Sequence, residues 1–306
     1  MAAVRAADDS WDIVTSVGAT ALAVATMRAI ETRKPDPIAR DEYAEYFVAA
    51  TAGQAPIFTE MLDPVVATEA DVAAFSSYLG ARTRYFDEFF VAAGDAGIGQ
   101  AVILAAGLDV RGYRLPWVPG TTLYELDLST VLEFKDAVLT QHAVAARTTV
   151  RAVPVDLRDD WPSVLVAAGL DAAAPTAWLA EGLLPFLPGA AQDLLFERVG
   201  QLSAPGSRFA VEDFAPPGAG ASRMGDAMAE GGALHRMFAT FTDGSADPSI
   251  LWFGDQRADP VAWLQRRGWS VHPTTAGELL IGYGRAGDDA LTGSMATSRY
   301  FTAELP

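Results

Sequence analysis

The chemistry-bearing part of this chain is a small-residue turn followed, one strand later, by an acid. The apolar run Ala101, Val102, Ile103, Leu104, Ala105 enters Ala106-Gly107-Leu108-Asp109, and a second apolar run ends in Tyr124-Glu125-Leu126-Asp127. A short buried strand opening into such a turn lets backbone N–H groups approach a ligand. An acid about twenty positions on, at the end of the next strand, can accept hydrogen bonds from a ribose diol. Glu125 and Asp127 are two apart and share a face of that strand, so the pattern leaves the diol role open between them. Asp127 could instead cap a helix beginning near Ser129. The turn lacks the three glycines of the dinucleotide fingerprint: Ala105 stands in the first place and Asp109 in the third. That argues against NAD, and an NAD-linked oxidoreductase is the weaker alternative.

Other chemistries find little support. There is no cysteine, hence no thiolate nucleophile and no cysteine-type zinc site. His142, His235 and His272 show no ligand spacing, so no metal site is expected; His235 could serve a hydroxyl acceptor as base or be a solvated loop residue. Neither a Gly-x-Ser-x-Gly elbow nor a P-loop is present, and no residue is assigned as catalytic. With 22 basic against 39 acidic residues the formal net charge is −17, which repels nucleic acids and acidic lipid surfaces. Arg84, Arg111 and Arg114 are the local cations that could offset this charge for an anionic ligand. The first ten residues carry two acids and no apolar core, and Ala19–Ile30 is too short to span a bilayer. A cytoplasmic protein without a membrane partner is expected.

The elements that must position these residues follow from periodicity. Helices are expected over Thr15–Thr32, stopped by Lys34-Pro35-Asp36-Pro37, over Asp41–Ala50, and over Tyr78–Val91 with Arg82 just upstream of the turn. From residue 101 strand and helix alternate. Strands are expected at Val102–Ala105, Thr122–Leu126, Val150–Val155, Ala177–Ala180, Arg208–Glu212, Trp269–His272 and near Thr297–Thr302. Helices are expected at Val131–Ala146, Gln192–Leu202 and Pro260–Arg267. This is the pattern of an α/β doubly wound sheet. The organisation expected is a single domain over 1–306: a helical N-terminal extension, 1–100, and a core, 101–306, interrupted by a Gly/Ala/Pro-rich insertion at about 214–250. That insertion, with Met224, Met228, Met237 and Phe238, could form a lid over an acceptor.

Six stretches in order give the chain a family likeness. They are Trp11-Asp12-Ile13-Val14-Thr15, Ala81-Arg82-Thr83-Arg84-Tyr85-Phe86-Asp87, Val102 to Leu115, Tyr124-Glu125-Leu126-Asp127, Val155-Asp156-Leu157 and Ala180-Glu181-Gly182-Leu183-Leu184-Pro185-Phe186-Leu187. On these the chain resembles the S-adenosylmethionine-dependent methyltransferases of the leucine carboxyl methyltransferase-like family, in a bacterial, mycobacterial-type branch. The resemblance implies a Rossmann-like class I methyltransferase sheet, mostly parallel with its last strand antiparallel, and S-adenosylmethionine as cofactor. It also implies site residues. Arg82 would pair with the methionyl carboxylate, Gly107 would admit the methionyl part, and Asp127 would hold the ribose. Asp156 and the Leu157 backbone would recognise adenine, and Glu181 would face the cofactor ammonium or the acceptor. Ala105 departs from the family, which more often has glycine there. The acceptor expected is a small molecule or peptide offering a carboxylate or hydroxyl oxygen. A protein of the same fold that binds the cofactor without transfer is the other alternative.

Overall fold

The computed structural model describes residues 16–213, 253, 257–285 and 298–306. The expectations placed on Trp11–Thr15, the 214–250 insertion, His235, Met224, Met228, Met237 and Phe238 lie outside the described residues.

Five helices precede the first strand: α1 (Ser16–Arg33), α2 (Ala44–Ala50), α3 (Pro56–Glu60), α4 (Pro64–Ala67) and α5 (Ala70–Asp95). Then come β1 (Gln100–Leu104), α6 (Arg111–Arg114), β2 (Thr122–Asp127), α7 (Ser129–Gln141), β3 (Thr149–Pro154), α8 (Trp161–Ala167) and β4 (Thr176–Ala180). After a 3-10 turn at Leu184–Phe186 follow α9 (Gly189–Gln201), β5 (Arg208–Asp213), α10 (Pro260–Gln265), β6 (Ser270–Thr275), α11 (Ala276–Gly282) and β7 (Arg299–Glu304).

The seven strands form one sheet in the order β3-β2-β1-β4-β5-β7-β6. β1 to β5 are mutually parallel, and β7 runs antiparallel to both β5 and β6. This is the expected mostly parallel sheet with an antiparallel last strand. Its order reverses between β1 and β4, so the carboxyl ends of β1, β2, β3, β4 and β5 border one crevice, where open α/β sheets take their ligands.

The central strands read as unbroken apolar runs because both faces are covered. Ala101 and Ile103 of β1, Leu123 of β2, Ala177 and Leu179 of β4 and Ala210 of β5 pack into one core with α1, α2 and α5. Val102, Leu104, Tyr124, Leu126, Trp178, Ala180, Phe209 and Val211 face the other way, against Trp161 and Leu165 of α8, Phe196 of α9 and Trp263 of α10. The N-terminal helices thus form one wall of the sheet's own core. The two prolines within strands fall on its two edges, Pro154 in β3 and Pro273 in β6, where a missing N–H costs no ladder bond.

Boundaries moved where packing outweighed local pattern. α5 starts eight residues before Tyr78, because Val72, Ala74 and Phe75 are buried and extend its inner face. α7 stops at Gln141 instead of Ala146, as Ala143 turns to φ +52° and Val144 N–H closes back on Leu139. The last strand begins at Arg299 and runs to Glu304, two residues later than expected, in register with β5. Among the described residues no helix is long and apolar enough to cross a membrane.

Candidate functional site

The β1 turn is built by backbone geometry. Ala105 adopts φ +55° and Gly107 φ +51°, the left-handed region that glycine enters freely and alanine at a cost. A Cβ on Gly107 would meet only the Ala21 Cβ, at 3.9 Å, so conformation rather than space favours glycine there. The turn is tied to the next strand: Ala106 N–H donates to Leu126 O at 2.9 Å, and Gly107 N–H to Asp127 Oδ2 at 2.7 Å. Helix α1 lies against it, with Arg28 Nη2 donating to Leu108 O at 2.9 Å.

Asp127 closes β2, and its second oxygen, Oδ1, accepts from Leu128 N–H at 2.7 Å. Burial pushes its carboxyl above the ordinary carboxylate range, against the pull of these two N–H groups. Glu125, on the same face, is 1% exposed and pairs with Lys135 Nζ at 2.7 Å. That separates the two acids: Glu125 is consumed in a buried pair, and Asp127 stands half-buried at the crevice edge.

Asp156 and Leu157 follow β3 beside Asp127, whose carbonyl accepts from Val155 N–H at 2.9 Å. Asp156 Oδ1 accepts from Arg158 N–H at 2.8 Å, and the Arg158 side chain holds the carboxylate below its usual range. Arg158 is 49% exposed, and surface pairs of this kind hold only about 0–1 kcal/mol, so a ligand amino group can take its place.

Arg82, Glu181 and Arg111 form the centre of a buried ionic cluster. Arg82, on α5, is 6% exposed; its Nε lies 2.8 Å from Glu181 Oε1 and its Nη1 3.0 Å from Glu212 Oε2. Glu181, half-buried at the end of β4, also accepts from Arg111 Nη1 at 2.7 Å. Arg111 further donates to Asp87 at 2.8 Å and to Asp109, and Arg114 Nη1 donates to Asp87 at 2.5 Å. Burial opposes the charge on Asp109, but Arg111 holds its carboxyl below the ordinary range. Three guanidiniums, Arg82, Arg111 and Arg114, thus meet four carboxylates, Asp87, Asp109, Glu181 and Glu212. Arg84 points away, pairing with Glu88 at 2.8 Å and lying over the Tyr283 ring. None of the three arginines expected to offset charge for an anionic ligand is therefore uncommitted.

Five of the six expected positions, Gly107, Asp127, Asp156, Leu157 and Glu181, are half-buried along one edge of the sheet, with Arg82 buried behind Glu181. Sequence reasoning missed Glu212 and Tyr78. The signal for Glu212 was present: like Asp127 and Glu181, it is an acid at the carboxyl end of an apolar strand.

These residues fit the cofactor that the resemblance implies. Arg82 Nη2 donates to no described residue, leaving one arm of a guanidinium fork beside a carboxylate, the donor and acceptor that an amino-acid zwitterion requires.

Comparison with known proteins agrees with this architecture. The family model described as leucine carboxyl methyltransferase matches residues 21–200. A protein of Mycobacteroides abscessus is 65% identical over 98% of this chain and 99% of its own length. One of Rhodococcus jostii is 51% identical over 98% and 99%. Both bear names that infer an S-adenosyl-L-methionine-dependent methyltransferase. The solved structure of a DUF574 family protein from Streptomyces avermitilis is similar in fold alone, with a TM-score of 0.50 at 13% identity over 92% of this chain and 97% of that one. The crevice-lining residues sit in a mostly parallel sheet with its last strand antiparallel, as expected, and the chain belongs to the leucine carboxyl methyltransferase family.

Proposed function

We propose that this protein transfers the methyl group of S-adenosylmethionine to an oxygen of a small or peptide-like acceptor, a carboxylate or a hydroxyl. The chain is a methyltransferase that uses S-adenosylmethionine. The observation that carries the site assignment is the row of half-buried residues at the carboxyl ends of β1 to β4, each matched to a different part of that cofactor. When bound, S-adenosylmethionine supplies a methyl group on a positively charged sulfur, open to in-line displacement.

What the protein contributes is placement and exclusion of water. Asp127 accepts from the ribose hydroxyls, and Gly107, folded over by its hydrogen bond to Asp127, lets the chain pass close to the methionyl part. Asp156 and the Leu157 backbone read the adenine edge. Arg82 and Glu181 bind the carboxylate and ammonium of the methionyl end. A carboxylate acceptor is already nucleophilic and needs no base; a hydroxyl must lose a proton as the methyl arrives. Because the arginines around the crevice are all paired to carboxylates, the surroundings favour a neutral hydroxyl or phenol over a carboxylate.

The test is transfer of labelled methyl from S-adenosylmethionine to panels of carboxylic acids and phenols, followed by mild alkali. Alkali-stable label on phenols is the expected result; alkali-labile label marks methyl esters. Label on amines alone, or calorimetric binding of NAD in place of S-adenosylmethionine, sinks the proposal.

A further inference from the structure

We propose that Glu212 is a positioning residue for the methionyl end of the cofactor, a single carboxylate that sets both Arg82 and the Glu181–Gly182 turn. This rests on the assignment of Arg82 and Glu181 to that end. Glu212 lies near the carboxyl end of β5 and is fully buried. Its Oε1 accepts from Tyr78 Oη at 2.9 Å; its Oε2 accepts from Arg82 Nη1 at 3.0 Å and from Gly182 N–H at 2.8 Å. Three elements are joined at one group: Tyr78 and Arg82 come from α5, Gly182 follows β4, and Glu212 is the last but one residue of β5.

The geometry is more specific than a buried strut requires. Gly182 takes φ +64°, and its N–H is held on the same oxygen that holds Arg82. Glu181, one residue earlier, then faces Arg82 from the other side, with Nε at 2.8 Å. Arg82 stands between two carboxylates, hydrogen-bonded to Glu212 through Nη1 and ion-paired with Glu181 at Nε, which aims its remaining Nη2 arm. Burial pushes the Glu212 carboxyl upward in pKa, with Arg82 opposing and Glu181 adding to the rise, so keeping an acid here is electrostatically costly. A core position without a task is better filled by an apolar side chain. β5 supplies no other group to Arg82: Ala210 is in the core behind it, and Asp213 turns to Arg299.

The experiment is calorimetric titration of the full chain with two ligands. S-adenosylhomocysteine carries the amino-acid end; 5′-methylthioadenosine keeps the adenosine and the thioether but lacks it. Glu212→Gln is expected to weaken S-adenosylhomocysteine by about tenfold or more, the usual scale for removing one partner of a buried charge pair, and methylthioadenosine by less than about twofold. Equal losses for the two ligands, or no loss for either, overturn the proposal. Tyr78→Phe removes one hydroxyl and no charge, so it decides the matter should Glu212→Gln not fold: the two affinities must again separate, by about threefold. Arg82→Ala reports on the underlying assignment by itself. If it leaves S-adenosylhomocysteine binding unchanged, the methionyl assignment falls whatever Glu212→Gln does.

Discussion

Asp109 shows how a residue within the ligand turn can be devoted to holding it. Its carboxylate accepts from Arg111 N–H at 2.7 Å and from the Arg111 guanidinium, while Lys135 Nζ donates to its backbone carbonyl at 3.0 Å. Burial would raise its folded-state pKa above the ordinary value of 3.8, but Arg111, Arg28 and Lys135 together bring it below that value. The unfolded chain therefore binds more protons than the folded one between the two values, and stability rises with pH across that window. The contribution is fully present above the unfolded value and is lost as pH falls through the folded one. Asp109→Asn should cost about 2 to 4 kcal/mol at pH 7 by leaving Arg111 under-paired. Urea denaturation should show the gap to the parent steady down to about pH 5 and narrowing below about pH 4. A gap that stays constant into acid would assign the loss to packing instead. At this scale the sequence places Asp109 in the turn but does not show its partner, because Arg111 reads equally well as a surface cation until its helix is placed. Likewise nothing local distinguishes Glu125 from Asp127; their difference is Lys135, ten residues after Glu125 and in the second turn of α7.

Short elements are set by what lies beneath them, and α6 is the clearest case. Four residues long, it has too few hydrogen bonds to persist alone, and it passes over β2 and β3 with Gly112 facing down. A Cβ there would stand 2.6 Å from Val150 Cγ2 and 3.0 Å from Leu123 Cδ2. Leu123 is in a central strand and cannot yield; Val150 is near the sheet edge and can move only with β3. Gly112→Ala should therefore destabilise by about 1–3 kcal/mol, the range for overfilling a packed site. A change under about 0.5 kcal/mol in urea denaturation, typical of open surface, would show that α6 lifts freely. Because α6 carries Arg111, the same variant should loosen the Glu181 pair. The sheet was legible in the sequence because buried parallel strands write themselves as apolar runs, and Val102–Ala105 and Ala177–Ala180 match β1 and β4 within two residues. α3, α4, α6, α8 and α11 were not legible. Each spans seven residues or fewer, too short for a helical period to show itself clearly, although α2 and α10 are as short and were expected.

At the scale of the molecule, charge separates the cofactor from its product. The chain carries a formal −17, and the ionic cluster beside the crevice holds four carboxylates against three guanidiniums. S-adenosylmethionine bears two positive groups and one negative, whereas S-adenosylhomocysteine, having lost the sulfonium charge, is neutral. The field of the whole protein therefore attracts the donor and is indifferent to the spent cofactor. Salt screens such attraction once the Debye length falls to about 10 Å or less. Between about 0.02 M and about 0.3 M sodium chloride the donor's dissociation constant should rise several-fold, while that of S-adenosylhomocysteine should change by less than about twofold. Equal salt dependence for the two would mean that the ionic cluster is self-neutralised and sends no field into the crevice. The same measurement bears on the acceptor. With the donor saturating, the kcat/KM of an anionic acceptor, repelled by this field, should increase with salt, whereas that of a neutral hydroxyl acceptor should stay unchanged. The direction of the salt effect under saturating donor thus separates the two oxygen classes, independently of the chemistry of the methylated product.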